Sequence, residues 1–249
     1  ILQSDGSLID GNDGNNTIDG KFGINNTLDY SAYASSRTIT VDMGVLDGAG
    51  YSTVTISDGT TDKIKNIQNI IGGAGADTII GNSQNNSLVG GAGNDIIKGV
   101  AGDNQLLGGA GNDTIYSGTG NDFIDGGEDN DTVSFEAATG DITVSLTTTT
   151  AQAVGGGMGT DTITNIENVI GSSHNDTISG NSGINTLIGG AGNDKFVATK
   201  GSDTYYGGTF DGTTHTLASG EYNRVDYSNA SKVYVDLSDT KTDVNGNVY

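Results

Sequence analysis

The chain has 249 residues, of which 31 are acidic and 10 are basic, so its formal charge at pH 7 is −21. This charge argues against nucleic acid or an anionic membrane surface as a partner, because both are bound through clustered Lys and Arg, and it favours cations. The chain has no Cys, which excludes disulfide scaffolds and thiolate zinc sites. No stretch reaches the roughly 18 consecutive apolar residues of a transmembrane helix.

The composition indicates a chain built from turns rather than around one large core. Hydrophobic residues make up only 33% of the chain, and Gly contributes 42 residues. Asp far outnumbers Glu and occurs beside Gly and Asn, the residue types that tolerate tight turns and positive φ.

The amino-terminal segment carries the first sign of repetition. Its opening residues, ILQS, do not resemble a signal peptide, and the absence of an initiating Met leads us to expect a piece of a longer protein. A weak nine-residue unit, GNDGNNTID, begins at Gly11. We therefore predict that residues 1–27 are the end of a preceding repeat tract.

Strand-like segments introduced by an aromatic residue then occur at three places. They are LDYSAYASSRTITVDMG from Leu28, TVSFEAATGDITVSLT from Thr132 and RVDYSNASKVYVDLSD from Arg224. Their alternating apolar residues predict half-buried β-strands; these residues are Ile39, Val41 and Met43, then Ile142, Val144 and Leu146, and finally Val233, Val235 and Leu237.

A long repeat follows from the segments that come next. DKIKNIQNIIG at 62–72 aligns without gaps with DTITNIENVIG at 161–171, an offset of 99 residues. We predict one module over residues 28–131, a second over 132–223, and the start of a truncated third over 224–249.

Between these segments the chain repeats every nine residues. From Gly72 it reads GGAGADTII, GNSQNNSLV, GGAGNDIIK, GVAGDNQLL, GGAGNDTIY, SGTGNDFID and GGEDNDTVS, and a shorter tract begins at Gly171. The eighth residue of every unit is apolar, which gives a ladder at Ile79, Leu88, Ile97, Leu106, Ile115, Ile124 and Val133.

A short strand followed by a six-residue turn cannot bury its own apolar residue. Two units can form one flattened coil, and stacked coils can bury the ladder between two small parallel sheets at the usual strand spacing. No helical period of useful length is present. The sequence therefore predicts an all-β fold, a parallel β-roll (a right-handed β-helix or solenoid) with interspersed strand segments.

This stacking brings the sixth residue of alternate units, usually Asp, close together. Two carboxylates about 5 Å apart repel by roughly 3 kcal/mol at an effective dielectric of 20, so the stack needs a cation. Calcium accepts six to eight oxygen ligands from carboxylates and main-chain carbonyls, whereas magnesium requires tighter geometry and keeps its waters. We therefore expect Ca²⁺ to bind in the turns.

The units GGAGADTII, GGAGNDIIK, GGAGNDTIY and GGAGNDKFV resemble the RTX, or hemolysin-type, calcium-binding repeat G-G-x-G-x-D-x-U-x, in which U is apolar. The resemblance implies a β-roll that is secreted without a cleaved N-terminal signal, by a type I route, and that folds in extracellular calcium. Such rolls occur in toxins, proteases, lipases, surface-layer proteins, adhesins and the accessory modules of alginate epimerases.

Because alternate units share an edge, the candidate ligands fall into groups. One edge of the first roll carries Asp77, Asp95, Asp113 and Asp131; the opposite edge carries Asn86, Asn104 and Asp122, where Asn lacks the charge and predicts weak or absent sites. In the second roll Asp176 and Asp194 share one edge, and Asn185 and Asp203 the other; His174 replaces a turn Gly beside Asp176. The predicted calcium-binding set comprises Asp77, Asp95, Asp113, Asp131, Asp122, Asp161, Asp176, Asp194 and Asp203, with Gly73, Gly75, Gly91, Gly93, Gly109 and Gly111.

Other chemistry is less well supported by the sequence. His174 and His215 are the only His residues and are expected to lie in solvated loops rather than bind zinc. Tyr30, Phe135 and Tyr227 occupy equivalent module positions, so we expect core aromatics rather than a sugar-binding row. Neither G-x-S-x-G nor H-E-x-x-H occurs, and we expect no enzymatic activity.

These observations favour a calcium-dependent structural segment of a large secreted bacterial cell-surface protein of the surface-layer or adhesin type. Its partners would be calcium ions and either copies of itself in a lattice or a cell-surface polysaccharide. The alternative is an accessory module of a secreted enzyme such as a polysaccharide epimerase, lipase or protease. A large non-repetitive domain upstream of Ile1 would favour that alternative, and further 99-residue modules would favour a stalk.

Overall fold

A computed structural model of the chain describes residues 8–11, 13–21, 23–210, 215–216 and 222–226, and these contain strands and turns but no helix. Up to the middle of the chain the strands are β1 (Leu8–Asp10), β2 (Thr17–Asp19), β3 (Thr27–Asp29), β4 (Ile39–Asp42), β5 (Ser52–Ile56), β6 (Thr61–Lys65), β7 (Asn69–Ile71), β8 (Thr78–Ile80), β9 (Ser87–Ala92), β10 (Ile96–Lys98), β11 (Gln105–Ala110), β12 (Thr114–Tyr116) and β13 (Phe123–Glu128). The remaining strands are β14 (Thr132–Ser134), β15 (Thr143–Ser145), β16 (Gln152–Ala153), β17 (Thr160–Thr164), β18 (Asn168–Ile170), β19 (Thr177–Ser179), β20 (Thr186–Ile188), β21 (Lys195–Val197), β22 (Thr204–Tyr206), β23 (Thr209–Phe210), β24 (His215–Thr216) and β25 (Arg224–Asp226).

Consecutive nonapeptides place their strands alternately in two sheets. The first sheet has the order β1-β3-β7-β9-β11-β13-β17-β16, and the second has the order β2-β6-β5-β4-β8-β10-β12-β14-β18-β20-β22. A third sheet, β15-β19-β21-β25, takes the alternate strands of the second roll, and β23 pairs with β24. The nonapeptide strands pair in parallel with the strand two units away, which confirms the predicted all-β parallel β-roll.

The core of the roll is the predicted ladder. Ile97 pairs with Ile79 and Ile115 in the second sheet, and Leu106 pairs with Leu88 in the first. All seven ladder residues from Ile79 to Val133 are fully buried. Since the flanking residues of each short strand point outward, the roll buries about one large side chain per unit, worth roughly 1.5–3 kcal/mol.

The strand segments between the nonapeptide tracts form inserts in the sheets. Strands β4, β5 and β6 are antiparallel neighbours within the second sheet, and the predicted inward residues Ile39 and Val41 are buried. Ile142 and Val144, around β15, are buried in the same way. The third segment, with Val233, Val235 and Leu237, lies outside the described residues.

The long repeat is visible in the strands. Strands β6, β7 and β8 recur 99 residues later as β17, β18 and β19, with the same lengths. Strand β14 nevertheless pairs with both β12 and β18, so the second sheet runs without interruption across the predicted boundary between residues 131 and 132. The module boundaries therefore stay a prediction.

Candidate metal sites

The four Asp side chains predicted to share one edge of the first roll are stacked there; we call this set, Asp77, Asp95, Asp113 and Asp131, the Asp edge. Asp95 Oδ1 accepts a hydrogen bond from the Asp77 backbone N–H at 2.7 Å, and Asp113 Oδ1 accepts one from Asp95 N–H at 2.7 Å. Asp131 Oδ1 bonds to Asp113 N–H at 2.8 Å. Each carboxylate thus binds the neighbouring coil through one oxygen.

The opposite edge is built by the same kind of contact. Asn104 Oδ1 accepts from Asn86 N–H at 2.9 Å, and Asp122 Oδ1 accepts from Asn104 N–H at 2.8 Å. Asp161 continues this stack, because its Oδ1 accepts from Asp122 N–H at 2.9 Å. We call the set Asn86, Asn104, Asp122 and Asp161 the Asn edge.

The second roll repeats the arrangement. Asp194 Oδ1 accepts from Asp176 N–H at 3.0 Å, and Asp203 Oδ1 accepts from Asn185 N–H at 3.1 Å. The two pairs therefore lie on separate edges, as the nine-residue period predicts.

On three of the four side chains of the Asp edge, the second carboxylate oxygen has no partner among the described residues. Among the described residues, Oδ2 of Asp95, Asp113 and Asp131 has no hydrogen bond, although these side chains are at most 1% exposed. An unsatisfied buried charge of this kind is costly. Three such oxygens in a row indicate that a cation belongs between the turns.

A main-chain carbonyl lies beside each of these oxygens. A Cβ at Gly90 would collide with Asp95 Oδ2 and would crowd the carbonyl oxygen of Gly108 in the next coil. A Cβ at Gly108 would collide with Asp113 Oδ2 and the Gly126 carbonyl oxygen in the same way. Because the first residue of each turn is Gly, both oxygens can approach the same small space.

The pKa values of these carboxyl groups are raised. Burial, and secondarily the neighbouring carboxylates, raise the pKa of Asp95 to about 7, and burial raises that of Asp113 to about 6. The same causes raise the pKa of Asp131 and of Asp161 to about 7. Ionisation of these groups is therefore unfavourable in the folded chain unless a cation binds beside them.

The first Asp of each roll is held differently. Asp77 accepts backbone N–H bonds from Ile39 and Gly73, both at 2.7 Å, so both of its oxygens are satisfied. Asp176 likewise accepts from Ile142 N–H at 2.9 Å and from Ser172 N–H at 2.6 Å. The backbone of the inserted segment supplies one of the two backbone N–H donors in each case.

The predicted ligand glycines fall into two groups. Gly91, Gly93, Gly109 and Gly111 have positive φ values of 114°, 109°, 122° and 116°, and a Cβ at Gly109 would collide with the Gly91 carbonyl oxygen. Gly73 and Gly75 do not have positive φ, and the Gly73 carbonyl accepts a bond from Ala92 N–H at 3.0 Å. The turn at 72–77 thus differs from the later turns of the Asp edge.

The structure also brings in residues that the sequence did not single out. Glu167 takes the place of a stacked Asp, since its Oε2 accepts from Asp131 N–H at 2.9 Å, and Asn223 Oδ1 accepts from Asp194 N–H at 2.6 Å.

Asp62, fully buried, accepts bonds from Asn16 N–H and the Tyr30 hydroxyl, both at 2.8 Å. The alignment of 62–72 with 161–171 carries the signal for Asp62, because it matches Asp161.

A hydroxyl lies between the two carboxylates at the end of the Asn edge. Ser117 Oγ is 2.9 Å from Asp122 Oδ2 and 3.0 Å from Asp161 Oδ2. A serine has one hydroxyl proton, so it satisfies one of these oxygens at a time.

The donor set fits calcium rather than a His-rich or thiolate metal. In the part of the chain that the structure describes, no three His, Asp or Glu side chains form a metal-binding group, so a site here must combine carboxylates with main-chain carbonyls. The His174 ring nitrogen Nδ1 lies 3.4 Å from the Ser173 hydroxyl, and the side chain of His215 lies outside the described residues. Tyr30 and Phe135 are buried core residues as predicted, and Tyr227 is outside the described residues.

Comparison with protein families identifies the repeat that forms these turns. The sequence matches the RTX calcium-binding nonapeptide repeat at residues 7–26, 68–97, 98–133, 170–205 and 179–213, which together cover more than half of the chain. The chain belongs to the RTX repeat family. RTX repeats bind calcium, and proteins that carry them are typically secreted. No curated protein matches the chain significantly, and no helix in the described residues is long and apolar enough to cross a membrane.

Proposed function

We propose that this chain is a non-enzymatic, calcium-dependent structural segment of a large secreted bacterial cell-surface protein of the surface-layer or adhesin type. The observation that carries the proposal is the row of buried, unpartnered oxygens on Asp95, Asp113 and Asp131. A roll with a narrow core and a column of uncompensated negative charge has low stability by itself, and bound calcium compensates that charge.

The ligands proposed for these ions come from two coils at once. The carboxylate of Asp95 and the carbonyl of Gly108 border one space, and Asp113 and the carbonyl of Gly126 border the next. An ion bound to both would join consecutive coils as well as neutralise the carboxylate. Asp122 and Asp161, and Asp194 and Asp203, supply carboxylates at equivalent stacked positions.

A mechanical role is more consistent with these carboxylates than a catalytic one. Their Oδ1 atoms hold backbone N–H groups of the next coil, whereas catalytic carboxylates flank a substrate cleft. The recurrence of three strands after 99 residues suits a stalk or lattice subunit made of repeated units. In such a setting we propose that calcium also joins copies of the protein, or fixes it to a surface polysaccharide.

A measurement of folding with and without calcium tests this function. Far-ultraviolet circular dichroism of protein stripped of calcium should show little β-structure at pH 7.5, and calcium in the millimolar range should restore it. Magnesium at the same concentration serves as the control and should restore much less, because it requires a tighter octahedral site. A calcium-free chain that is fully folded at moderate ionic strength would contradict the proposal.

A further inference from the structure

The sixth-position Asn residues hold their turns through the side-chain nitrogen. Asn104 Nδ2 donates to the Gly102 carbonyl at 2.9 Å, within its own turn. Asn86 Nδ2 donates to the carbonyl of Gln68 in the neighbouring coil at 2.7 Å. Asn185, 99 residues later, repeats this bond with the carbonyl of Glu167 at 2.8 Å. In each case an amide N–H group binds a main-chain carbonyl, but in Asn86 and Asn185 the Oδ1 atom, not the nitrogen, lies beside the first Gly of the turn.

Residues 20–26 (GKFGINN) and 126–131 (GGEDND) differ in sequence and by one residue in length, but each segment begins with Gly and ends with the Asn or Asp that is compared. Asn66 and Asn165 are equivalent in the long repeat, and both have left-handed backbones, with φ values of 55° and 50°. In the first turn, a Cβ at Gly20 would meet Asn26 Nδ2 and the Asn66 carbonyl oxygen. In the second, a Cβ at Gly126 would meet Asp131 Oδ2 and the Asn165 carbonyl oxygen. The Asn nitrogen and the Asp oxygen therefore take the same place beside the same kind of carbonyl.

The two turns differ in whether this side chain can donate a hydrogen bond to the carbonyl. Asn26 Nδ2 donates to the Asn66 carbonyl at 3.0 Å and also to the carbonyls of Gly20 and Gly23, at 3.1 and 3.2 Å. Asp131 Oδ2 places a negative oxygen beside a carbonyl oxygen and has no hydrogen-bond partner in the described residues. Asn26 Oδ1, a neutral amide oxygen, also has no partner in the described residues, but the Asn26 N–H groups satisfy three carbonyls. The charged Asp131 Oδ2 can be satisfied there only by a cation or a proton.

The same contrast separates the two edges of the first roll. Asn104 Nδ2 and the Ser117 carbonyl oxygen border the space beside Gly99. On the Asp edge, Asp113 Oδ2 and the Gly126 carbonyl oxygen border the space beside Gly108. The substitution of one atom, nitrogen for oxygen, thus recurs in a second pair of turns.

We propose that the side-chain amide of Asn26 and of Asn104 takes the place of a calcium ion, so that these two turns close without metal. A calcium ion is then required in the turns that contain Asp95, Asp113 and Asp131. The choice between Asp and Asn at the residue that directly precedes the strand thus sets, in each of these turns, how strongly folding depends on calcium. This inference rests on the proposed calcium-linked function, and it identifies the turns that fold without calcium.

Exchange of the two residue types in the matched turns tests the inference. The variants are Asp131→Asn, with Asp131→Ala as its control, and the reverse change Asn26→Asp. Isothermal titration calorimetry gives the number of calcium ions bound per chain, and circular dichroism during a calcium titration gives the concentration at half-folding. Both measurements use the full 249-residue chain.

We expect Asp131→Asn and Asp131→Ala each to bind fewer ions than the parent. The Asn variant should fold at the parent's calcium concentration or below it, whereas the Ala variant, which lacks any donor to the carbonyl, should need about tenfold more. Asn26→Asp should bind one more ion and require more calcium to fold. Equal half-folding concentrations for the Asn and Ala variants, or an unchanged ion number in Asn26→Asp, would overturn the inference. A parent chain that binds no calcium would instead refute the proposed function.

Discussion

Acidification should stabilise the calcium-free protein, because protons can neutralise the same carboxylates that calcium does. Asp95 and Asp131 have pKa values of about 7 in the folded chain against 3.8 in the unfolded chain, and Asp113 has a value of about 6. At pH values between 3.8 and about 7, the folded state binds protons that the unfolded state does not. The resulting stability is present at low pH and is lost as the pH rises through 7.

The size of the effect follows from the shifts. A carboxyl group whose pKa rises from 3.8 to about 7 stabilises the folded state at pH 5 by about 3 kcal/mol relative to pH 8. The three carboxylates are stacked neighbours whose titrations are coupled, so we halve that value. Asp95, Asp113 and Asp131 together then contribute about 3 kcal/mol, or roughly 6–12 °C in the unfolding midpoint of a chain of this size.

The assay is circular dichroism on protein from which calcium has been removed by gel filtration, followed from pH 8 to pH 5. The β-sheet signal and the unfolding midpoint should both rise as the pH falls. Asp95→Asn is the matched control, because it removes one titrating group, and it should show a smaller pH response. A calcium-free chain whose stability is constant, or falls, between pH 8 and pH 5 would refute the electrostatic reasoning.

Three further outcomes can be measured. Leu106→Ala, in the fully buried ladder, should lower the free energy of unfolding in calcium by about 2–5 kcal/mol in a denaturant titration. Gly109→Ala should cost at least about 1–3 kcal/mol, because its φ is 122° and its Cβ would collide with the Gly91 carbonyl oxygen, whereas Gly48→Ala, in open space, should change little. Light scattering should show self-association only above the calcium concentration that completes folding, since sites between chains are less pre-organised; a folded chain that stays monomeric at every calcium concentration would contradict the proposed lattice.

The nine-residue period was sufficient to predict the stacked arrangement. It predicted the ladder, because only a parallel pairing of alternate units buries Ile97 between Ile79 and Ile115. It also placed Asp95 beside Asp77 and Asp113, since their spacing equals two units. The sixth residues of the nonapeptides on both edges of the first roll thus follow from residue type and spacing alone.

Other contacts depend on segments where the period is interrupted. Glu167 completes the Asp edge although it belongs to no nonapeptide, because the insert after β14 returns the chain to the stack at that point. The complete hydrogen bonding of Asp77 depends on the Ile39 N–H group, which comes from an inserted strand. The role of the Asn nitrogens required coordinates as well, since sequence alone treats Asn as an Asp without charge.

The position of bound calcium tests the central claim most directly. A crystal structure of the chain grown in calcium, with anomalous scattering data, would locate each ion. We predict strong peaks beside the carboxylates of Asp95, Asp113 and Asp131, and no comparable peak beside Asn86 or Asn104. Peaks of equal strength along both edges would show that Asn serves as well as Asp, and would contradict the claim that the charge of the sixth residue decides where calcium binds.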